Sequence, residues 1–130
     1  MYKRQELNLP FCYVRSSTKA HGLNNKIEGD LKKNENIFVI EDLISSGKSS
    51  LDAVMALKSA GTNVIGLGAI FSYGFRHADD NFKEAKCPFK TLSDYDTLLQ
   101  IAVKNKYIKP TDLETLNEWR KSPSKWRKDA

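Results

Sequence analysis

The sequence predicts an α/β domain built around a mainly parallel sheet, and three observations carry that expectation. "NIFVIE" at residues 36–41 and "NVIGLGAIF" at 63–71 are continuous apolar runs rather than alternating ones, as expected of parallel strands covered on both faces. Between them, "LDAVMALKSA" at 51–60 puts Leu51, Val54 and Met55 on one helical face, with Gly61 placed as its C-terminal stop. Strand, helix and strand in that order favour a right-handed parallel crossover.

The remaining elements follow in chain order. "LPFCYV" at 9–14 is an apolar and aromatic run that reads as a strand entering the domain. At Arg15 the composition turns polar, and "RSSTKAHGLNNKIEGDLKKNEN" at 15–36 reads as one long mobile loop, a length that compact domains reserve for function or disorder. Ser49 or Ser50 is placed to cap the central helix. "CPFKTL" at 87–92 reads as a short strand. "SDYDTLLQIAVKN" at 93–105 reads as a helix opened by Ser93 with Asp96 three residues on, its Tyr95, Leu98, Leu99 and Ala102 at helical spacing. "TDLETLNEW" at 111–119 repeats the capping pattern with Thr111 and Glu114. There is no internal repeat and no low-complexity segment.

A chain of 130 residues holds one domain with a sizeable core. It has no apolar run of membrane-spanning length and no cleavable signal pattern, so the expected location is the cytoplasm. Cys12 and Cys87 are the only cysteines, which argues against a disulfide framework and for two buried thiols. The net charge of +5 is concentrated in "EWRKSPSKWRKDA" at 118–130 and near the start of the chain. It reads as a frayed, solvated tail. Trp119 and Trp126 offer stacking surfaces among those cations, but no RNA-binding signature surrounds them. His77 has no Cys/His cluster beside it and reads as a surface residue.

The chemistry is concentrated in "IFVIEDLISSGKSS" at 37–50, where an apolar strand runs into Glu41 and Asp42 and then into a small-residue turn that opens a helix. Carboxylates ending a strand are costly unless they bind something, and the turn is a natural anion cradle. A Walker A loop needs a glycine five positions before Gly47, where this chain has Asp42. The Rossmann fingerprint lacks a third glycine after Gly66 and Gly68. A purely structural alternative, helix capping by an acidic residue and a serine, leaves two adjacent carboxylates without a task.

What remains resembles the phosphoribosyl-pyrophosphate (PRPP) motif of the type I phosphoribosyltransferases. The resemblance implies that Glu41 and Asp42 accept hydrogen bonds from ribose hydroxyls. It implies that the stretch Glu41, Asp42, Leu43, Ile44, Ser45, Ser46, Gly47, Lys48 and Ser49 binds PRPP, with the amides of residues 45–49 receiving the 5-phosphate. Lys48 departs from the small residue common there. "YVRSSTKAHGLNNKIEG" at 13–29 is similar to the catalytic loop of orotate phosphoribosyltransferases, which implies that Arg15, Lys19 and His21 meet the pyrophosphate and that Ser45 reaches orotate. Three potential cations closing over a leaving pyrophosphate would neutralise developing charge and exclude water. Ser16 stands where some members carry a basic residue, and an arginine found in some members after the next strand is not evident. Tyr73 and Arg76, in "FSYGFRHADDNF", are left unassigned.

The resemblance covers residues 6–121. It implies a three-layer type I phosphoribosyltransferase fold lacking its N-terminal elements, followed by a basic tail at 122–130. "MYKRQ" at 1–5 resembles a translated sequencing-adaptor end and reads as a non-native start. It further implies transfer of ribose 5-phosphate from PRPP to orotate, substrate-bound Mg2+ and a homodimer. Three readings stand beside it: transfer to another base, a regulator that keeps the PRPP site without catalysis, and a nucleic-acid-binding module using the basic tail.

Overall fold

A computed structural model describes residues 6–15 and 26–126. A short antiparallel pair comes first, β1 (Cys12–Val14) against β2 (Ile27–Gly29). The body then runs β3 (Asn36–Ile44), α1 (Lys48–Ser59), β4 (Asn63–Ser72), α2 (Arg76–Glu84), β5 (Phe89–Asp94), α3 (Tyr95–Lys104) and α4 (Asp112–Lys121), with a 3-10 turn over Pro123–Lys125. The sheet order is β3-β4-β5, all parallel. This is the expected α/β domain with its parallel strand–helix–strand unit.

The core lies on one face of that sheet. Val64, Leu67 and Ala69 of β4 pack with Ile44, with Val54 and Leu57 of α1, and with Ala78 and Phe82 of α2, all buried. Register places Ile37 opposite Val64 and Val39 opposite Leu67, so Ile37, Val39 and Glu41 share that face. The opposite face carries Phe38, Ile40, Ile70 and Leu92, and all four are more than half exposed. β3 is therefore not the central strand covered on both faces that its apolar run predicts. It is an edge strand, and among the described residues only one of its faces is packed. Phe38 finds partial shelter by lying across β4. A Cβ built on Gly68 would stand 3.0 Å from its Cε1 and one on Gly66 3.3 Å from its Cε2, which explains two glycines in mid-strand.

Several local expectations shift. The long loop is interrupted by β2, which pairs with the expected strand β1 in a ribbon separate from the main sheet. Ser49 and Ser50 do not cap α1, because the helix starts at Lys48 and both lie inside it. The buried stripe of α1 is Ser50, Val54 and Leu57, while Met55 is 54 % exposed. Gly61 does end the helix. At φ +87° it lets its own amide and that of Thr62 donate to the carbonyls of Lys58 and Leu57, at 3.0 and 3.3 Å. The cap of α3 is Asp94 rather than Ser93, accepting from the Thr97 amide at 2.8 Å. Thr111 makes no side-chain cap to α4; the Asp112 carboxylate accepts instead from the Lys109 amide at 2.9 Å.

Glu118 to Lys121 is the last turn of α4 rather than frayed tail, because Trp119 packs into an aromatic cluster with Tyr73, Phe75 and Tyr95 at ring separations of 5.4–5.9 Å. His77 is exposed and stacks on Phe75. Both cysteines are free; Cys87 is buried and Cys12 half-buried, and burial pushes both thiols above their ordinary range. No helix among the described residues is long and apolar enough to cross a membrane.

Candidate functional site

The C-terminal ends of β3 and β4 lie side by side, with the Tyr73 amide donating to the Ile44 carbonyl at 3.1 Å. Ligands of open parallel sheets bind at such strand ends. Glu41 and Asp42 are neighbours on β3, so their side chains leave opposite faces: half-buried Glu41 on the core face, exposed Asp42 on the other. Together they straddle the strand end.

The turn that follows is tightly built. Ile44 is fully buried and anchors the strand end, and Gly47 adopts φ +75° immediately before the helix. A Cβ at Gly47 would stand 2.7 Å from Phe82 Cε2, so backbone conformation and packing both require glycine there. The Lys48 amide is 3.4 Å from Ser46 Oγ, and Asn81 Nδ2 of α2 donates to the Ser46 carbonyl at 3.3 Å, bracing the turn from outside. α1 has no acidic residue in its first turn and has Lys48 at its first position, opposite in charge to what a helix N-terminus favours. A bound anion would offset both the helix dipole and that lysine.

An open groove of about 750 Å3 runs along the outer edge of β3 and brings together groups far apart in sequence. Arg15, Lys26, Glu41, Ser49 and Asp52 line it. Arg15 stands at the end of β1, its Nε donating to Glu28 Oε1 at 2.8 Å and its Nη2 to Glu28 Oε2 at 2.9 Å. Lys26 was not singled out from the sequence, yet its Nζ donates to the Asp52 carbonyl of α1 at 3.2 Å and ties the ribbon to the helix. The signal was available: a cation on the far side of the same polar segment as Arg15. Lys19 and His21 lie outside the described residues. Ser45 is exposed at the turn, and Tyr73 is half-buried within the aromatic cluster. Arg76 is exposed at the start of α2. No group of three metal-ligating side chains occurs among the described residues.

The chain is 52 % identical over 122 residues to the orotate phosphoribosyltransferase of Cytophaga hutchinsonii, a match covering 94 % of this chain and 58 % of that protein. The chain is similar to the orotate phosphoribosyltransferases along nearly its whole length. The Bacteroides fragilis orotate phosphoribosyltransferase is likewise 52 % identical over 120 residues, 92 % of this chain and 57 % of the relative. The chain thus spans under two thirds of the length of these orotate phosphoribosyltransferases. The crystal structure of orotate phosphoribosyltransferase from Aeropyrum pernix matches with a TM-score of 0.66 at 25 % identity, over 75 % of this chain and 54 % of that one. The structure of Leishmania donovani UMP synthase shares the fold with a TM-score of 0.73 at 23 % identity, over 90 % of this chain and 25 % of that one. No protein-family model matches the sequence.

Proposed function

We propose that this chain carries the PRPP-binding part of an orotate phosphoribosyltransferase, an enzyme that transfers ribose 5-phosphate from PRPP to orotate, giving orotidine 5'-monophosphate and pyrophosphate. One observation supports it above the others: Glu41 and Asp42 lie in the last four residues of β3, which leads into a glycine turn, packed against Phe82, that opens on the N-terminus of α1. One ligand with vicinal hydroxyls and a phosphate satisfies both halves. The carboxylates take the ribose hydroxyls from either side of the strand end, and the amides of residues 45–49 take the 5-phosphate.

In this reading, Arg15 reaches the pyrophosphate from the groove, Lys19 and His21 join it there, and Ser45 faces orotate. The transition state is oxocarbenium-like, so the protein contributes placement and electrostatic stabilisation rather than a nucleophile. The donor set fits Mg2+ only as a substrate-borne ion. Glu41 and Asp42 offer hard oxygens but no third carboxylate joins them among the described residues, and Mg2+ readily stays on phosphate oxygens. When bound, it would neutralise charge on the leaving pyrophosphate. The expected setting is a cytoplasmic homodimer.

The test is calorimetry of PRPP with Mg2+ against the chain and its Asp42→Asn variant. We expect affinity to fall about tenfold with the melting temperature unchanged, since a carboxylate acceptor for the hydroxyls becomes a neutral amide. Equal affinities would remove Asp42 from the site. Pyrophosphate release that depends on orotate and on no other base would separate this reading from transfer to another acceptor.

A further inference from the structure

The β1–β2 ribbon contains a contact that the transfer reading leaves unused. Tyr13 lies opposite Glu28 and Val14 opposite Ile27, and the Arg15 amide donates to the Lys26 carbonyl at 2.8 Å, adding one more rung. Side chains alternate along each strand, so Tyr13, Arg15 and Glu28 share a face, with Arg15 and Glu28 as diagonal neighbours. Their contact is bidentate and uses the Nε–Nη2 edge of the guanidinium. The second fork of that group, Nη1 with Nη2, is the one suited to another oxyanion, and Nη1 makes no hydrogen bond among the described residues. With side chains 37 % and 51 % exposed, such a pair contributes little to folding, so stability does not account for its geometry. Arg15 lines the groove shared with Glu41 and Ser49, and Lys26 fixes the same ribbon to α1.

We propose that Glu28 is a positioning residue for pyrophosphate binding, gripping one edge of Arg15 so that the other edge is presented to the pyrophosphate end of PRPP. The inference rests on the PRPP reading above. A free arginine must lose rotamer freedom when it meets its ligand, whereas one already held by Glu28 has lost it in advance. The competing idea, that Glu28 occupies Arg15 and is displaced by ligand, predicts the opposite sign.

The experiment titrates the chain with Mg-pyrophosphate, Mg-PRPP and ribose 5-phosphate, as wild type and as Glu28→Gln, Arg15→Ala and the double variant. Glu28→Gln is expected to weaken pyrophosphate and PRPP about tenfold, leaving ribose 5-phosphate affinity and melting temperature unchanged. In the Arg15→Ala background it should add nothing to the loss of pyrophosphate affinity, because its effect on that ligand runs through the guanidinium. Unchanged or tighter pyrophosphate binding by Glu28→Gln overturns the proposal. So does an undiminished loss in the Arg15→Ala background, or an equal loss for ribose 5-phosphate, which would mark a merely structural effect. The underlying reading fails separately: a wild type that binds none of the three, matched by Asp42→Asn, removes the PRPP site and this role of Glu28 with it.

Discussion

The turn at residues 45–49 meets the groove through Ser49 and the β1–β2 ribbon lines it through Tyr13, Val14 and Arg15, but the two are held in different ways. The turn is braced from the core: Ile44 and Ser50 are buried on either side of it, and the Phe82 ring closes against Gly47. The ribbon packs Cys12, Val14 and Ile27 in part against the core and is tied to α1 by Lys26, but on its other face the Arg15 and Glu28 side chains form an exposed ion pair. The turn is thus fixed by packing, while the Arg15 side chain is held by an ion pair at the surface. Rigid placement suits a group that stays bound through a transfer, and a lightly held arm suits one that must leave.

The largest expected effect breaks the rigid side. Phe82→Ala removes a ring that is 1 % exposed and should cost about 3–5 kcal/mol in urea unfolding, through lost burial plus the cavity left behind. Phosphate affinity should fall too, because the turn loses its brace. Next comes Gly47→Ala, which forces a side chain into a left-handed conformation and against Phe82; about 2–4 kcal/mol is expected from the two costs together. The two are coupled, so Gly47→Ala should cost less in a Phe82→Ala background; strict additivity would show that the ring does not set the turn.

On the lightly held side, Arg15→Ala should leave the denaturation midpoint where it is. A clear loss of stability there would mean that the ribbon is a structural element. The smallest effect lies outside both regions. Asp94 caps α3, and the bond from the Thr97 amide holds its carboxyl below the ordinary aspartate range. A depressed carboxyl contributes stability that is present above its unfolded pKa and lost as pH falls through its folded one. Asp94→Asn should therefore flatten the acid limb of the melting curve and change nothing at neutral pH beyond a weakened cap.

Much of this was legible in the sequence where local pattern and tertiary placement agree. β3, α1 and β4 are long, strongly patterned and adjacent, and the acidic pair with its glycine turn can be read from consecutive residues. β2 was missed because "IEG" has one apolar residue, Ile27, and becomes a strand only through pairing with Cys12–Val14 across the polar segment. The start of α1 was misplaced because Gly47 enters the helix from a left-handed turn, leaving no serine cap to find. β3 was read as central because its run is apolar on both faces, and sequence alone does not say which face the helices take. The Arg15–Glu28 pair spans 13 residues and depends on ribbon register, which composition does not encode.

The aromatic cluster makes the protein its own optical reporter. Trp119 of the last helix lies 5.5 Å from Tyr73 and 5.4 Å from Tyr95, ring centre to ring centre, close enough for excitation absorbed by either tyrosine to pass to the indole. Tyr73 in turn is hydrogen-bonded through its amide to the carbonyl of Ile44, the residue immediately before the glycine turn. A shift of that turn is therefore transmitted by one backbone bond to a ring that touches the fluorophore. With Trp126 replaced by phenylalanine to leave a single emitter, the colour of Trp119 emission would follow both the docking of α4 and the state of the strand ends without any added label.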